Sequence, residues 1–410
     1  MTQVNGPINL VRMEGTLDKQ RKVFYIFMDL HVPSTAQTEC TDIRSTHIRN
    51  YLVNTFDNLK EQKNAIYRDF FLETFPDQST LTGNRTDIYL NQMRNMFERI
   101  FSFNFKENKV VKPKEFPNVR LHYMDIRPYF TFAVGDPFGM INTIGDTVYS
   151  LLNRNVYPAD ISRIQNGMTI LNSQLKVIDT AFFVSKSKKV EKAQVIRQFP
   201  GQWINYEDAD ATKTINYLAN KIRNVYKNKN VKKIINDILD SELSGLFDKY
   251  IALHNKLYKF LTDAIPKLNY NMSDRVTYKN NYRYFGNTQG AISDDIMQET
   301  VKIFDDYAEV TRHIYILVMD LYFLRRALDK DYITNAISYT GAYHSANYIK
   351  FLANNFDFKI THAFYAEIQD LKSLNKKINS LDDTNLVSNL FYPMVFSQCI
   401  DVKSFPKDFE

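Results

Sequence analysis

Asp29-Leu30-His31 sets a carboxylate and an imidazole two residues apart, directly after the apolar run at residues 23–28. On a β-strand, residues i and i+2 share a face, so the two side chains are expected side by side. Such a pair serves as an acid–base dyad or as half of a metal site. Asp125-Ile126-Arg127 repeats the spacing later in the chain, with a guanidinium that can orient the carboxylate or clamp an anionic group. Glu73 closes Phe70-Phe71-Leu72, a third polar end to an apolar run. In Thr340-Gly341-Ala342-Tyr343-His344, the glycine permits a tight turn and His344 falls in the first turn of an expected helix. The positive end of the helix dipole favours a neutral imidazole there, the form a base or a metal ligand needs. Asp320, Arg325 and Arg326 interrupt an apolar helical stripe. A carboxylate in such a stripe needs a partner, and Arg325 is not one turn away. Its partner is therefore expected elsewhere, at the same cluster of strand ends.

These groups need a scaffold that gathers strand ends. Residues 23–28 (VFYIFM) form a short continuous apolar run, as expected for a strand buried on both faces. Residues 45–59 carry Ile48, Tyr51, Leu52, Phe56 and Leu59 at helical spacing, with Ser45 placed as N-cap. Residues 69–75 read as a second strand, 88–101 as a second helix and 119–129 as a third strand. That alternation predicts a parallel sheet with crossover helices, whose ligands bind beyond the carboxyl ends of the strands. Residues 208–268 are rich in Lys and Asn with helical periodicity, 269–290 read as a long polar loop, 292–328 as one long helix and 335–339 as a last strand. The expected fold is α/β, a mostly parallel central sheet flanked by helices. Residues 1–207 and 291–410 form its core, and 208–290 a large helical insertion.

Composition narrows the function classes. A chain of 410 residues with 44% hydrophobic and 24% charged residues is of the globular type. Its net charge of +6 is scattered, with one dense Lys stretch near 221–233, which disfavours a nucleic-acid partner. The apolar run 314–324 is broken by Asp320 and too short to span a bilayer, and residues 1–14 lack the apolar segment of a secretory signal. Two cysteines, Cys40 and Cys399, in unlike surroundings are expected to be reduced, which suggests an intracellular protein. No G-x-G-x-x-G follows the first strand, against a Rossmann-type cofactor enzyme.

In order and type, Met28-Asp29-Leu30-His31, Phe71-Leu72-Glu73, Leu324-Arg325-Arg326 and Gly341-Ala342-Tyr343-His344 resemble the motifs of the erythromycin-esterase/ChaN-like superfamily, which includes the TraB and TIKI proteins. The chain looks most like versions of that fold from large DNA viruses. It departs from the pattern at Met28, where the family usually has Gly, and at Asp29, where it usually has Glu. The resemblance implies a pocket at the strand ends and a hydrolase-like activity on an ester or amide bond of a small molecule or peptide. In that reading Asp29, His31, Glu73, Asp125, Arg127, Arg325, Arg326 and His344 carry the chemistry. His31, Glu73 and His344 would hold a divalent metal (Mn, Co or Zn), and the arginines would orient carboxylates or stabilise an oxyanion. The alternative is a non-catalytic viral protein of the host cytoplasm or the virion. It would keep the fold and bind a viral or host protein through the Lys/Asn-rich helices.

Overall fold

Two strands that carry no turn signature open the chain. β1 (Gln3–Asn5) precedes β2 (Asn9–Leu17), which turns back through Asp18-Lys19 into β3 (Gln20–Asp29). Both turn residues have positive φ, 48° and 68°, the mirror-image turn whose twist matches paired strands. The turn lacks the Gly or Asn that marks such hairpins, so β2 was not expected. The remaining strands are β4 (Thr46–His47), β5 (Arg68–Leu72), β6 (Phe103–Asn104), β7 (Lys109–Val110), β8 (Val119–Tyr123), β9 (Asn335–Gly341), β10 (Lys359–Ala363) and β11 (Cys399–Asp401). The computed structural model describes residues 2–32, 38–61, 66–75, 89–104, 109–127, 136–151, 158–184, 209–263, 290–395 and 397–410. They fall into two units, Met1–Asp125 with Tyr226–Ile234 and Met319–Glu410, and Ile126–Val225 with Ile235–Val318.

The first unit is built on a six-stranded sheet of order β10-β2-β3-β9-β5-β8. The pairs β3·β9, β9·β5 and β5·β8 are parallel, whereas β10·β2 and β2·β3 are antiparallel. The fold is therefore mixed α/β, which corrects the expectation of a mostly parallel sheet. β3 is buried from Lys22 to Asp29, as its unbroken apolar run requires. On one side of the sheet α1 (Ile48–Asn58) buries Ile48, Leu52 and Phe56, and α2 (Tyr89–Ile100) buries Tyr89, Leu90, Met93 and Phe97. Phe56 meets the rings of Phe70, Phe97 and Phe116 with centroids 5.7–6.0 Å apart. The N-cap of α1 is His47, whose Nδ1 accepts from the Arg49 N–H at 3.0 Å, in place of the expected Ser45.

In chain order the further helices are α3 (Pro137–Ser150), α4 (Pro158–Phe183), α5 (Ala209–Asn224), α6 (Lys229–Ile238), α7 (Ser244–Asp263), α8 (Gly290–Leu328), α9 (Ala342–Phe356), α10 (Leu371–Ile378) and α11 (Thr384–Phe391). The second unit is helical and begins at Ile126, whereas the sequence placed the helical insertion at 208–290. Its interior includes Tyr250 and Tyr307, whose hydroxyls lie 3.2 Å apart. The long loop expected at 269–290 lies, except for Gly290, outside the described residues. Among the described residues no helix is long and apolar enough to cross a membrane.

A second, three-stranded sheet of order β11-β1-β4 joins the two ends of the described chain. Beside it Cys40 and Cys399 form a disulfide across a sequence separation of 359. This corrects the expectation of two reduced, unrelated cysteines, and with it the argument from cysteine usage to a reducing compartment. Their nearness follows from the β1·β11 pairing, which sequence spacing does not reveal.

Candidate active site

Because β3, β9 and β5 are adjacent and parallel, their carboxyl ends lie side by side. Asp29 ends β3 opposite Gly341 of β9, and Leu72 of β5 pairs with Tyr339. Two residues past the end of β3, His31 has φ +51°, a left-handed conformation uncommon outside glycine but open to His. The turn swings its ring back, so that Nδ1 lies 2.5 Å from Asp29 Oδ2 and Nε2 3.3 Å from Glu73 Oε2. The pair thus forms through a turn, where strand alternation was expected to form it.

Glu73 follows β5 by one residue. Its N–H donates to the Tyr339 carbonyl at 3.2 Å, which fixes where the side chain starts. Glu73 Oε2 accepts the Gly341 N–H at 2.6 Å. A Cβ at Gly341 would stand 3.1 Å from His31 Nε2 and 3.4 Å from Glu73 Oε2, so the glycine leaves the room this approach needs. His344 lies in the first turn of α9, with Nε2 3.7 Å from Glu73 Oε1 and Nδ1 2.6 Å from Asp320 Oδ1. The second oxygen of Asp320 accepts from Asn347 Nδ2 at 2.6 Å, and Asn347 Oδ1 in turn accepts from Thr384 Oγ1 at 2.5 Å. On the other side Asp29 Oδ1 accepts from the Tyr339 hydroxyl at 3.1 Å and from Gln398 Nε2 at 3.2 Å.

The result is a row within the first unit, Asp29–His31–Glu73–His344–Asp320, in which one carboxylate stands between two imidazoles and each imidazole is backed by another carboxylate. The three acids are buried, and the His31 side chain, 32% exposed, is the member open to solvent. Burial works against a charged His31, but the charge of Glu73 and the hydrogen bonds to Asp29 and Glu73 prevail and push its pKa up to about 10. The ring is therefore an imidazolium at neutral pH. Burial raises the pKa of Asp320, and the His344 charge and its hydrogen bond oppose the rise. Burial, then the charge of Asp29, keeps the Tyr339 hydroxyl protonated, so it acts as a donor.

Not every expected residue joins the row. β8 stops at Tyr123, so strand alternation does not set Asp125 and Arg127 on one face. Asp125 is buried, its N–H bonded to the Thr74 carbonyl at 3.2 Å, and Arg127 is exposed. The Arg325 guanidinium lies 5.6 Å from the centre of the Tyr226 ring, and Arg326 donates to the Tyr123 carbonyl at 3.0 Å. His122 is buried against Asp69 Oδ1 at 2.7 Å and stacked on Phe71, away from the row. Asn347, Thr384, Tyr339 and Gln398 were not anticipated. Asn347, three residues after His344 on a helix, was within reach of sequence reasoning. Gln398, 369 residues from Asp29, was not.

The expected metal set was His31, Glu73 and His344. Among the described residues no group of three or more His, Cys, Asp or Glu side chains is arranged to hold a metal ion. The Nε2 atoms of His31 and His344 both face the Glu73 oxygens, at 3.3 Å and 3.7 Å.

Three uncharacterized proteins of Acanthamoeba polyphaga mimivirus are similar along their whole length. One is 32% identical over 99% of this chain and 97% of its own, and a second is 31% identical over 100% and 98%. A third is 29% identical over 99% and 97%. No solved structure matches the chain at a significant level. The expected likeness to proteins of large DNA viruses is thus met, and nothing in these comparisons ties the chain to the erythromycin-esterase/ChaN-like superfamily. A family model described as a family of unknown function (DUF5847) matches residues 2–410, and the chain belongs to that family.

Proposed function

We propose that the first unit is a hydrolase that cleaves an ester or amide bond by proton transfer along the row. The observation that carries this reading is Glu73 between two imidazoles, each with its Nδ1 against a buried aspartate. An aspartate at Nδ1 holds the tautomer that leaves Nε2 for chemistry and stabilises the imidazolium that forms. The resemblance of the motifs around His31, Glu73 and His344 to those of erythromycin-esterase-like proteins supports the same assignment.

The roles divide by charge. His31, held as an imidazolium, is the acid, and its Nε2–H passes to the leaving oxygen or nitrogen. His344 Nε2 takes a proton from the water that attacks the carbonyl carbon. Glu73 stabilises the charge arriving on His344 and returns the proton to His31 after cleavage. The one-third exposure of His31 gives substrate and water their way in.

The test is hydrolysis of p-nitrophenyl esters and peptide amides by the purified chain, with chelator and with added Mn, Co or Zn. Hydrolysis that persists in chelator and falls about 10²–10⁴-fold in His344→Gln, with the circular dichroism spectrum kept, supports the proposal. Hydrolysis that follows the added metal overturns the metal-free route. No hydrolysis of any substrate class overturns the enzyme reading and leaves the protein-binding alternative.

A further inference from the structure

The two imidazoles of the row are backed by unlike supports. Behind His344, Asp320 is held by Asn347 and Asn347 by Thr384, from α8, α9 and α11. Behind His31, Asp29 is held by Tyr339 of β9 and by Gln398, which stands just before the three-residue strand β11. The Gln398 amide is spent on donating, to Asp29 Oδ1 and, at 2.9 Å, to the Gly6 carbonyl. Its Oε1 is buried with no hydrogen-bond partner among the described residues. Both amide hydrogens thus meet acceptors, which sets the orientation of the group.

The backbone around Gln398 supplies part of that constraint. Its N–H donates to the Thr38 carbonyl at 2.7 Å, and its carbonyl accepts the Gly6 N–H at 2.9 Å. The very next residue, Cys399, is bonded to Cys40, two residues beyond Thr38, and the Cys40 N–H donates to Asn5 Oδ1 at 2.7 Å. The disulfide therefore ties the segment that carries Gln398 to the chain that continues from His31. Without it, the three residue pairs of β1·β11 and the hydrogen bonds to Thr38 and Gly6 hold the segment, a short pairing with no covalent tie. Neither cysteine is fully buried.

We propose that Gln398 is a positioning residue for the Asp29–His31 pair and that the Cys40–Cys399 disulfide keeps it in place, so that an external dithiol loosens one half of the site and spares the other. In the step itself the S–S bond breaks, and the dithiol gives two electrons and two protons. Two cysteine thiols form, and the dithiol closes to its own disulfide. The proposal rests on the hydrolase reading only for what the pair is used for.

The experiment follows the seven histidines of the full chain by NMR after ¹⁵N-histidine labelling, oxidised and after dithiothreitol. The charged groups facing the His31 ring are Asp29 and Glu73, with the Tyr339 hydroxyl and the Gln398 amide behind Asp29. Reduction is expected to lower the His31 titration midpoint by about one pH unit or more, the worth of a charge-assisted hydrogen bond, and to move His344, linked to it only through Glu73, by much less. Gln398→Ala in the oxidised chain is expected to reproduce the fall. Equal shifts of both histidines, or none, overturn the proposal, as does a Gln398→Ala chain with an unmoved His31. Should that variant not fold, reduction of the wild-type chain still decides. The readout needs no turnover, so a chain without hydrolysis sinks the functional reading alone, and a catalyst with an unmoved His31 sinks this one alone.

Discussion

Replacing His31 with Asn removes the imidazolium and keeps a residue type that tolerates the left-handed φ of +51° at this position. In the folded chain burial works against the charged ring, yet Glu73 and Asp29 push its pKa from 6.5 up to about 10. A group that holds its proton more firmly folded than unfolded stabilises the fold fully below the unfolded pKa. That contribution is lost as pH rises through the folded one. At about 1.4 kcal/mol per pH unit the displacement amounts to roughly 5 kcal/mol, which solvent screening of a ring 32% exposed reduces to about 2–4 kcal/mol. Lys22 works in the opposite sense. Burial pulls its pKa down to about 8, so its part of the stability rises with pH above that value. The difference between wild type and His31→Asn, and not either curve alone, isolates the histidine. Urea unfolding from about pH 6 to about pH 10.5, followed by amide exchange in β3 and β9, measures that difference. It is expected to shrink by about 2–4 kcal/mol across the range, from its largest value at the acid end. Parallel curves would mean that the folded chain does not hold the His31 proton more firmly than the unfolded one.

Asp320→Ala strands the His344 ring and the Asn347 amide in a buried site, and a loss of about 3–5 kcal/mol is expected in the unfolding free energy of the first unit measured in urea. Phe409→Ala empties a position packed on Tyr25, Phe27, Tyr51 and Phe56, with an expected cost of about 3–5 kcal/mol by the same measurement. Burial pulls the pKa of His122 down to about 4, so stability drains as pH falls from 6.5 towards that value and the unfolded chain takes up the proton. His122→Phe, which keeps a ring against Phe71, is expected to remove that share of the acid sensitivity, read by comparing unfolding at about pH 7 and about pH 5.

The half of the sheet that carries the site was legible because buried parallel strands leave continuous apolar runs. VFYIFM and DFFL announced β3 and β5, and the polar residues that end them, Asp29 and Glu73, stand where a ligand site belongs. Asp320 was legible for a different reason, since a carboxylate in an apolar stripe must find a partner, which turned out to be His344. The hairpin β2–β3 was hidden by a two-residue turn of Asp and Lys, which takes positive φ without the usual glycine. The first unit's C-terminal contributions, Gln398 and Cys399, reach the site through pairings across nearly the whole chain, and no local pattern encodes a contact over that distance. Spacing alone likewise does not show that Arg325 lies near the Tyr226 ring or that Arg326 donates to the Tyr123 carbonyl.

The proposed hydrolase requires His31, Glu73 and His344 to move protons as one device. The direct measurement is kcat for hydrolysis of the best p-nitrophenyl ester by wild type, Glu73→Gln, His344→Gln and the double variant. Groups that act as a unit are strongly non-additive. Each single variant is expected to lose about 10²–10⁴-fold, and the double variant little more than the worse single. Single variants that keep wild-type kcat, or losses that multiply in the double, would contradict the account.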